Sequence, residues 1–251
     1  MKKMMFTFVT GLMAVVLAAC GGNEESKVDE NNDKAKTEVT EQQKQMEEMQ
    51  KKLAAQQIDE KKTVAIVNDT KILGSDYNGI LSSIQGQMQQ MGQDPTSKEA
   101  ADQVKNQTID SLVGQTLLLQ EADKKSYKVS EADIQKRLDE VKKQFKTEKE
   151  FESALKKSGM DMKTLETQIA DGLKLNQYVE KEIPAGEITD EEIQKTYDQY
   201  AEQGKTTGQE IPKLEEVKPQ IEKSLQQQKQ QEKLAQHVEE LKKNAKIDIK
   251  I

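Results

Sequence analysis

Apolar residues recur at spacings of three and four along most of this chain, a period that fits amphipathic helices and little else. Between about 98 and 125 the stripe is Val104, Thr108, Leu112, Gln115, Leu119 and Ala122, widened by Ile109, Leu117 and Leu118. It continues as Ile134, Leu138, Val141 and Phe145 after Ser130, and as Phe151, Ala154 and Leu155 after the capping box Thr147-Glu148-Lys149-Glu150. After Asp161 come Met162, Leu165, Ile169, Leu173, Val179 and Ile183, stopped by Pro184; after Thr189 come Ile193, Tyr197 and Tyr200, all read as inward. An earlier helix runs from a Ser75 cap to about Met91, and Ser97 caps the one that follows it. Gly204 to Pro212 reads as a flexible connection. A last helix covers about 213–245, with a polar interruption at Gln226–Gln231 and with Pro219 either kinking it or marking its start nearby.

Two short stretches break the helical period. Val64-Ala65-Ile66-Val67 and Lys71-Ile72-Leu73 flank Asn68-Asp69, the chemistry of a tight hairpin turn. The tail Lys246-Ile247-Asp248-Ile249-Lys250-Ile251 alternates strictly and reads as a strand. An isolated hairpin is marginal in water, so the tail is expected to pair with 64–73 and bring the two ends of the folded region together. The fold class is mainly α with a small β element, and order is expected from Thr63 onward.

The N-terminus sets the compartment. Lys2 and Lys3, an apolar run from about Met4 to Leu17, and Leu17-Ala18-Ala19-Cys20 make a secretory signal over 1–19 that is too short to span a bilayer. Leu-Ala-Ala-Cys resembles a bacterial lipobox, and Cys20 is therefore the candidate lipidation site, carrying a diacylglycerol and anchoring the chain to the extracytoplasmic face of the cell membrane. Residues 20–60 read as a tether. Of these, 23–40 lack periodicity, 41–58 form at most a frayed helix, and the whole has a root-mean-square span of roughly 35 Å. The domain proper is 61–251.

Composition excludes several function classes. The net charge of −7 becomes −9 once Lys2 and Lys3 leave with the signal, which argues against nucleic acid as a partner. Charged residues make up 33% and aromatics 4%, with no Trp, so the core is thin. With one cysteine no internal disulfide forms, and with His237 as the single histidine no Ser-His-Asp triad or Cys/His metal set is visible. No cofactor, no metal and no catalytic residue are expected, and His237 reads as a surface or half-buried helix residue.

Three segments carry a family likeness. Val64-Ala65-Ile66-Val67-Asn68 with Ile72 and Asp76, the long helix, break and capped helix of 109–145, and Glu187–Tyr200 together resemble the chaperone module of SurA- and PrsA-type extracytoplasmic folding factors; the tail 214–251 resembles its return helix and closing strand. Asp69 stands where that family usually has Gly. In such proteins a parvulin prolyl isomerase domain often separates the third segment from the return helix. Here only residues 201–212 do so, and the histidines of a parvulin site are missing. The resemblance implies an ATP-independent chaperone whose partners are unfolded or partly folded secreted polypeptides. Met88, Met91, Met160 and Met162 are the candidate client contacts, because methionine adapts to many shapes; the plainer reading of the same residues is core filling. The alternatives are a structural lipoprotein that binds one envelope partner, and an isomerase by family label only. Catalytic amounts of the chain are expected to leave the rate of proline-limited refolding of a model substrate unchanged, and acceleration would contradict this reading.

Overall fold

Asn68 is the joint at which the two ends of the folded region meet. The computed structural model describes residues 44–207 and 211–251. Strands β1 (Thr63–Val67) and β2 (Thr70–Leu73) form the expected hairpin, and β3 (Ile247–Ile249) lies antiparallel on the other side of β1, giving the order β2-β1-β3. Asn68 adopts φ 53°, a left-handed turn conformation that asparagine tolerates better than most residues. Its backbone N–H donates to Lys246 O at 2.8 Å, and its Oδ1 accepts from Lys246 N at 3.0 Å. Its Nδ2 donates to Gln120 Oε1 at 2.7 Å, while Gln120 Nε2 donates to Val67 O at 3.0 Å. One turn residue thus ties the hairpin, the returning chain and the longest interior helix.

The helices are α1 (44–55), α2 (Gly74–Gln90), α3 (Lys98–Lys124), α4 (Glu131–Lys142), α5 (Glu148–Lys157), α6 (Met162–Glu182), α7 (Asp190–Thr207) and α8 (Leu214–Lys243). Their contacts define a unit over Glu48–Ile251, and the packing described here is within it. The expected caps form at Ser97, Ser130 and Thr147, and Asp161 caps α6 in the same way, each accepting the N–H three residues on. Thr189 and Glu192 complete a reciprocal capping box.

Several expectations are corrected. Helix α2 starts at Gly74, not beyond a Ser75 cap. Strand β2 runs directly into it, Gly74 N and Ser75 N donate to Lys62 O and Glu60 O, and the Asp76 carboxylate accepts from Leu73 N at 3.2 Å. The folded region begins before Thr63. Ile58 exchanges two hydrogen bonds with the Asn78 side chain, and Gln56 accepts from the buried Gln85 and donates to Pro95 O. Those are polar, long-range ties that an apolar period does not reveal. Helix α7 continues through Thr207 and buries Gly204, where a connection was expected, and Tyr200 is exposed rather than inward. Pro219 lies inside α8, beyond its start at Leu214. Residues 1–43, with the expected signal, Cys20 and most of the tether, lie outside the described residues.

The apolar stripes assemble three small cores. The first joins β1 and β2 to α2 and to the first two-thirds of α3, around Val64, Val67, Tyr77, Leu81 and Val104. The second joins the end of α3 to the end of α6 and to α8, around Leu118, Ala122 and Tyr178. The third joins α4, α5 and the first half of α6 around Leu138, Phe151 and Ile169. Close approach of α3 to α8 depends on Gly114, where a Cβ would come within 3.2 Å of Val238 Cγ1.

At Gly74 a Cβ would lie 2.0 Å from Asp59 O, a backbone atom that has no room to yield. Gly74→Ala is therefore expected to destabilise the unit by roughly 1–3 kcal/mol, measured as a lowered denaturant midpoint, whereas Gly79→Ala, at an open helical position, is neutral or stabilising.

Candidate functional site

Helices end where their stripes run out, and at two such ends large apolar side chains remain at the surface. Met91 terminates α2 and is 60% exposed; Met88, one turn earlier, is half-buried against the first core. Gln89, between them, donates to Met49 Sδ on α1 at 3.7 Å, so Met49, itself 38% exposed, joins this end of the molecule. Met49 was not singled out from sequence, since α1 has little apolar stripe; only its docking beside α2 brings it there. Met160 and Met162 sit at the start of α6, Met160 half-buried and Met162 37% exposed. That half of α6 packs with α4 and α5 in the third core, and a Cβ at Gly159, next to Met160, would meet Glu60 Oε1, whereas Met88 packs against the first core near the end of α2. The four methionines therefore form two pairs beside different cores.

A shallow crevice of about 550 Å³ is bounded by the α6–α7 connection (Pro184, Ala185, Gly186) and by Lys223, Gln226, Gln227 and Gln230 of α8. The glutamine run that interrupts the α8 stripe therefore faces this connection. Lys233 Nζ donates to Pro184 O at 2.9 Å, and Lys229 Nζ donates to Glu187 O at 3.0 Å and to Glu192 at 2.8 Å, so α8 pins the connection from beneath.

The charged and aromatic groups at the α3–α6–α8 junction hold the frame in place. Tyr178 is buried, its ring meets Tyr127 edge-on at 5.8 Å, and its hydroxyl lies 2.8 Å from Nε2 of the half-buried His237. Tyr127 donates to Glu182 Oε1 at 2.7 Å, and Lys125 pairs with the same carboxylate. Lys125 and Tyr127 together hold the Glu182 carboxyl below the usual carboxylate range. The reciprocal bond pushes the Tyr127 phenol up to about 12, and burial raises that of Tyr178. This is a structural clasp: its groups are engaged with one another, and no nucleophile–base pair stands free in it. Among the described residues no group of three or more His, Cys, Asp or Glu could hold a metal ion, and no helix is long and apolar enough to cross a membrane.

A strand-turn-strand opening, a long central helix buried on two sides and a return helix with a closing strand are the frame of a helical chaperone module. Residues 54–179 match the SurA-like N-terminal domain, and the chain belongs to that family. It is similar to the foldase protein PrsA of Caldanaerobacter subterraneus subsp. tengcongensis, 31% identical over an alignment of 147 residues that covers 55% of this chain and 43% of that protein. The foldase protein PrsA of Clostridium perfringens is 32% identical over an alignment of 158 residues that covers 57% of this chain and 44% of its own length. The matched stretch thus spans less than half the length of these relatives. A solved structure from work on PEB4 and Cj1289, two SurA-like chaperones of Campylobacter jejuni, aligns with 75% of this chain and 98% of its own at 11% identity and a TM-score of 0.47.

The clasp makes stability depend on pH in two windows. Tyr127 holds its proton more tightly folded than unfolded, so its contribution is present below pH 10 and disappears as pH rises through about 12. Glu182 has a depressed value, so its contribution is present above the ordinary carboxylate range and fades as pH falls through the folded value. Tyr127→Phe is expected to remove that alkaline decline, and Glu182→Gln to flatten the acid limb as well, in melting temperatures followed across pH.

Proposed function

We propose that this chain is an ATP-independent extracytoplasmic chaperone that holds unfolded or partly folded secreted polypeptides at separated methionine ends and carries out no bond chemistry. Family membership supports the chaperone role. The observation that carries the binding mode is the exposure of Met91 and Met49, on helices that the Gln89–Met49 contact links, and of Met162 at the start of α6. Exposed, unbranched thioether side chains give weak, adaptable contact with apolar segments of many sequences. Two such ends on one rigid frame would engage two segments of one chain, raising avidity without a deep pocket. The short passage between α7 and α8, where a parvulin domain is inserted in many such proteins, supports the reading that the chain has no isomerase activity.

The N-terminal reading completes the proposal. Residues 1–19 direct export, Cys20 carries the lipid, and the stretch up to the docked Gln56 holds the unit away from the membrane surface. Cys20→Ser is expected to move the protein from the membrane fraction to the soluble extracytoplasmic fraction and to abolish labelling with a fatty-acid analogue. Retention in the membrane with label intact would refute lipidation at this residue.

The client-binding claim is tested by suppression of aggregation of an unfolded protein. Met49→Ser/Met91→Ser is expected to raise the chaperone ratio needed for half-suppression several-fold, with stability changed by less than about 0.5 kcal/mol as befits surface sites. Met162→Ser alone is expected to have a smaller effect of the same sign. Full suppression by both variants, or specific capture of one folded envelope partner and no unfolded chain, would favour a structural lipoprotein instead.

A further inference from the structure

Strand β3 is the open edge of the sheet. Its pairing with β1 puts Ile66 opposite Asp248 and Val67 opposite Ile247, and the bonds Asn68 N to Lys246 O and Lys250 N to Val64 O fix which residues point inward. Antiparallel ladders alternate, so Lys246, Asp248 and Lys250 bond to β1, while the main-chain groups of Ile247 and Ile249 face away from it. Among the described residues no strand lies beyond β3. Ile249 is 51% exposed at this edge, whereas Ile247 and Ile251 pack toward the first core. An unpaired edge carrying an exposed isoleucine is a template for a further strand.

We propose that the added strand is β3 of a second copy of this chain, paired antiparallel across a two-fold axis at Ile249, so that two three-stranded sheets become one of six. The charge pattern selects this partner and this register. With Ile249 opposite the partner subunit's Ile249, Asp248 stands opposite the partner subunit's Lys250, and Lys250 opposite the partner subunit's Asp248. Ile247 then meets the partner subunit's Ile251 on the core side. Moving the two-fold axis by one residue either way, a register shift of two that keeps outward groups paired, sets Asp248 against its own counterpart, or Lys250 against its own, and like charges directly opposite are unfavourable. In the single chain Asp248 and Lys250 pair with each other; the dimer exchanges the one such pair in each chain for two between chains, so the charges set the register rather than add ion pairs. The contact is isologous and self-limiting. It is also small beside a standard interface, so association is weak and grows with local concentration. The inference does not rest on the chaperone reading.

Disulfide trapping in the full chain reads such a weak contact. Ile249→Cys brings two thiols to a directly opposed pair with Cα atoms about 5.5 Å apart, within disulfide reach. Mild oxidation is expected to give a covalent dimer at least five-fold more abundant than with Ile247→Cys or with the unsubstituted chain. Adding Asp248→Lys or Lys250→Asp to Ile249→Cys is expected to reduce the dimer at least five-fold, and mixing these two proteins to restore it as the heterodimer. Restoration by mixing cannot come from a pair within one chain. No dimer at Ile249→Cys, equal yields at 247 and 249, indifference to the single charge changes, failure of the mixture, or trapping of unfolded polypeptide in place of a second copy would each overturn the proposal.

Discussion

Burial of α3 on more than one side is the constraint from which the rest of the structure follows. Val104, Ile109, Leu112 and Val113 close the first core against the hairpin and α2, while Leu118 and Ala122 close the second against α6 and α8. A helix that must be covered by α2, α6 and α8 obliges chain segments far apart in sequence to come together. Thr108, fully buried, is compatible with this because its hydroxyl donates to Val104 O and leaves no polar group unsatisfied. Gly114 lets α8 approach where a larger residue would hold it off.

The return of α8 then determines where the chain ends meet. Once α8 lies along α3, its exit delivers Lys246 to Asn68 and β3 to the free side of β1. The sheet is small, but it links the hairpin near the start of the unit to its last residues. Ile247 and Ile251 add their side chains to the first core at the same time.

Three small cores in place of one large one fit a charged, aromatic-poor composition. The stripes of α3 and α6 are each divided between two of these cores. Met91 and Met162 are exposed at helix ends. The Tyr127–Glu182–Lys125 clasp and the α8 lysines on the α6–α7 connection hold the frame by local, directional contacts where apolar burial is thin. The family to which the chain belongs is the SurA-like one, with a chaperone-type folding role.

The sequence by itself determined the element types, most caps and the pairing of the tail with the hairpin. Those depend on local periods of two and three-to-four residues and on side chains that bond three residues away. It also carried the family likeness, through the order of three segments. The docking of residues 56–58 on Asn78 and Gln85, the start of α2 at Gly74, the exposure of Tyr200 and the buried continuation of α7 through Gly204 were not legible. Each depends on a neighbour distant in the chain. Gly74 is required by Asp59 O, and nothing in the pattern around Gly74 announces that carbonyl. The same holds for the candidate site: methionine at 88, 91, 160 and 162 could be read, but its division between two cores, and the arrival of Met49 beside Gln89, was decided by which elements α1, α2 and α6 pack against. Local bonding is written in neighbouring residues, whereas coverage of a shared helix is a competition that only the assembled chain resolves.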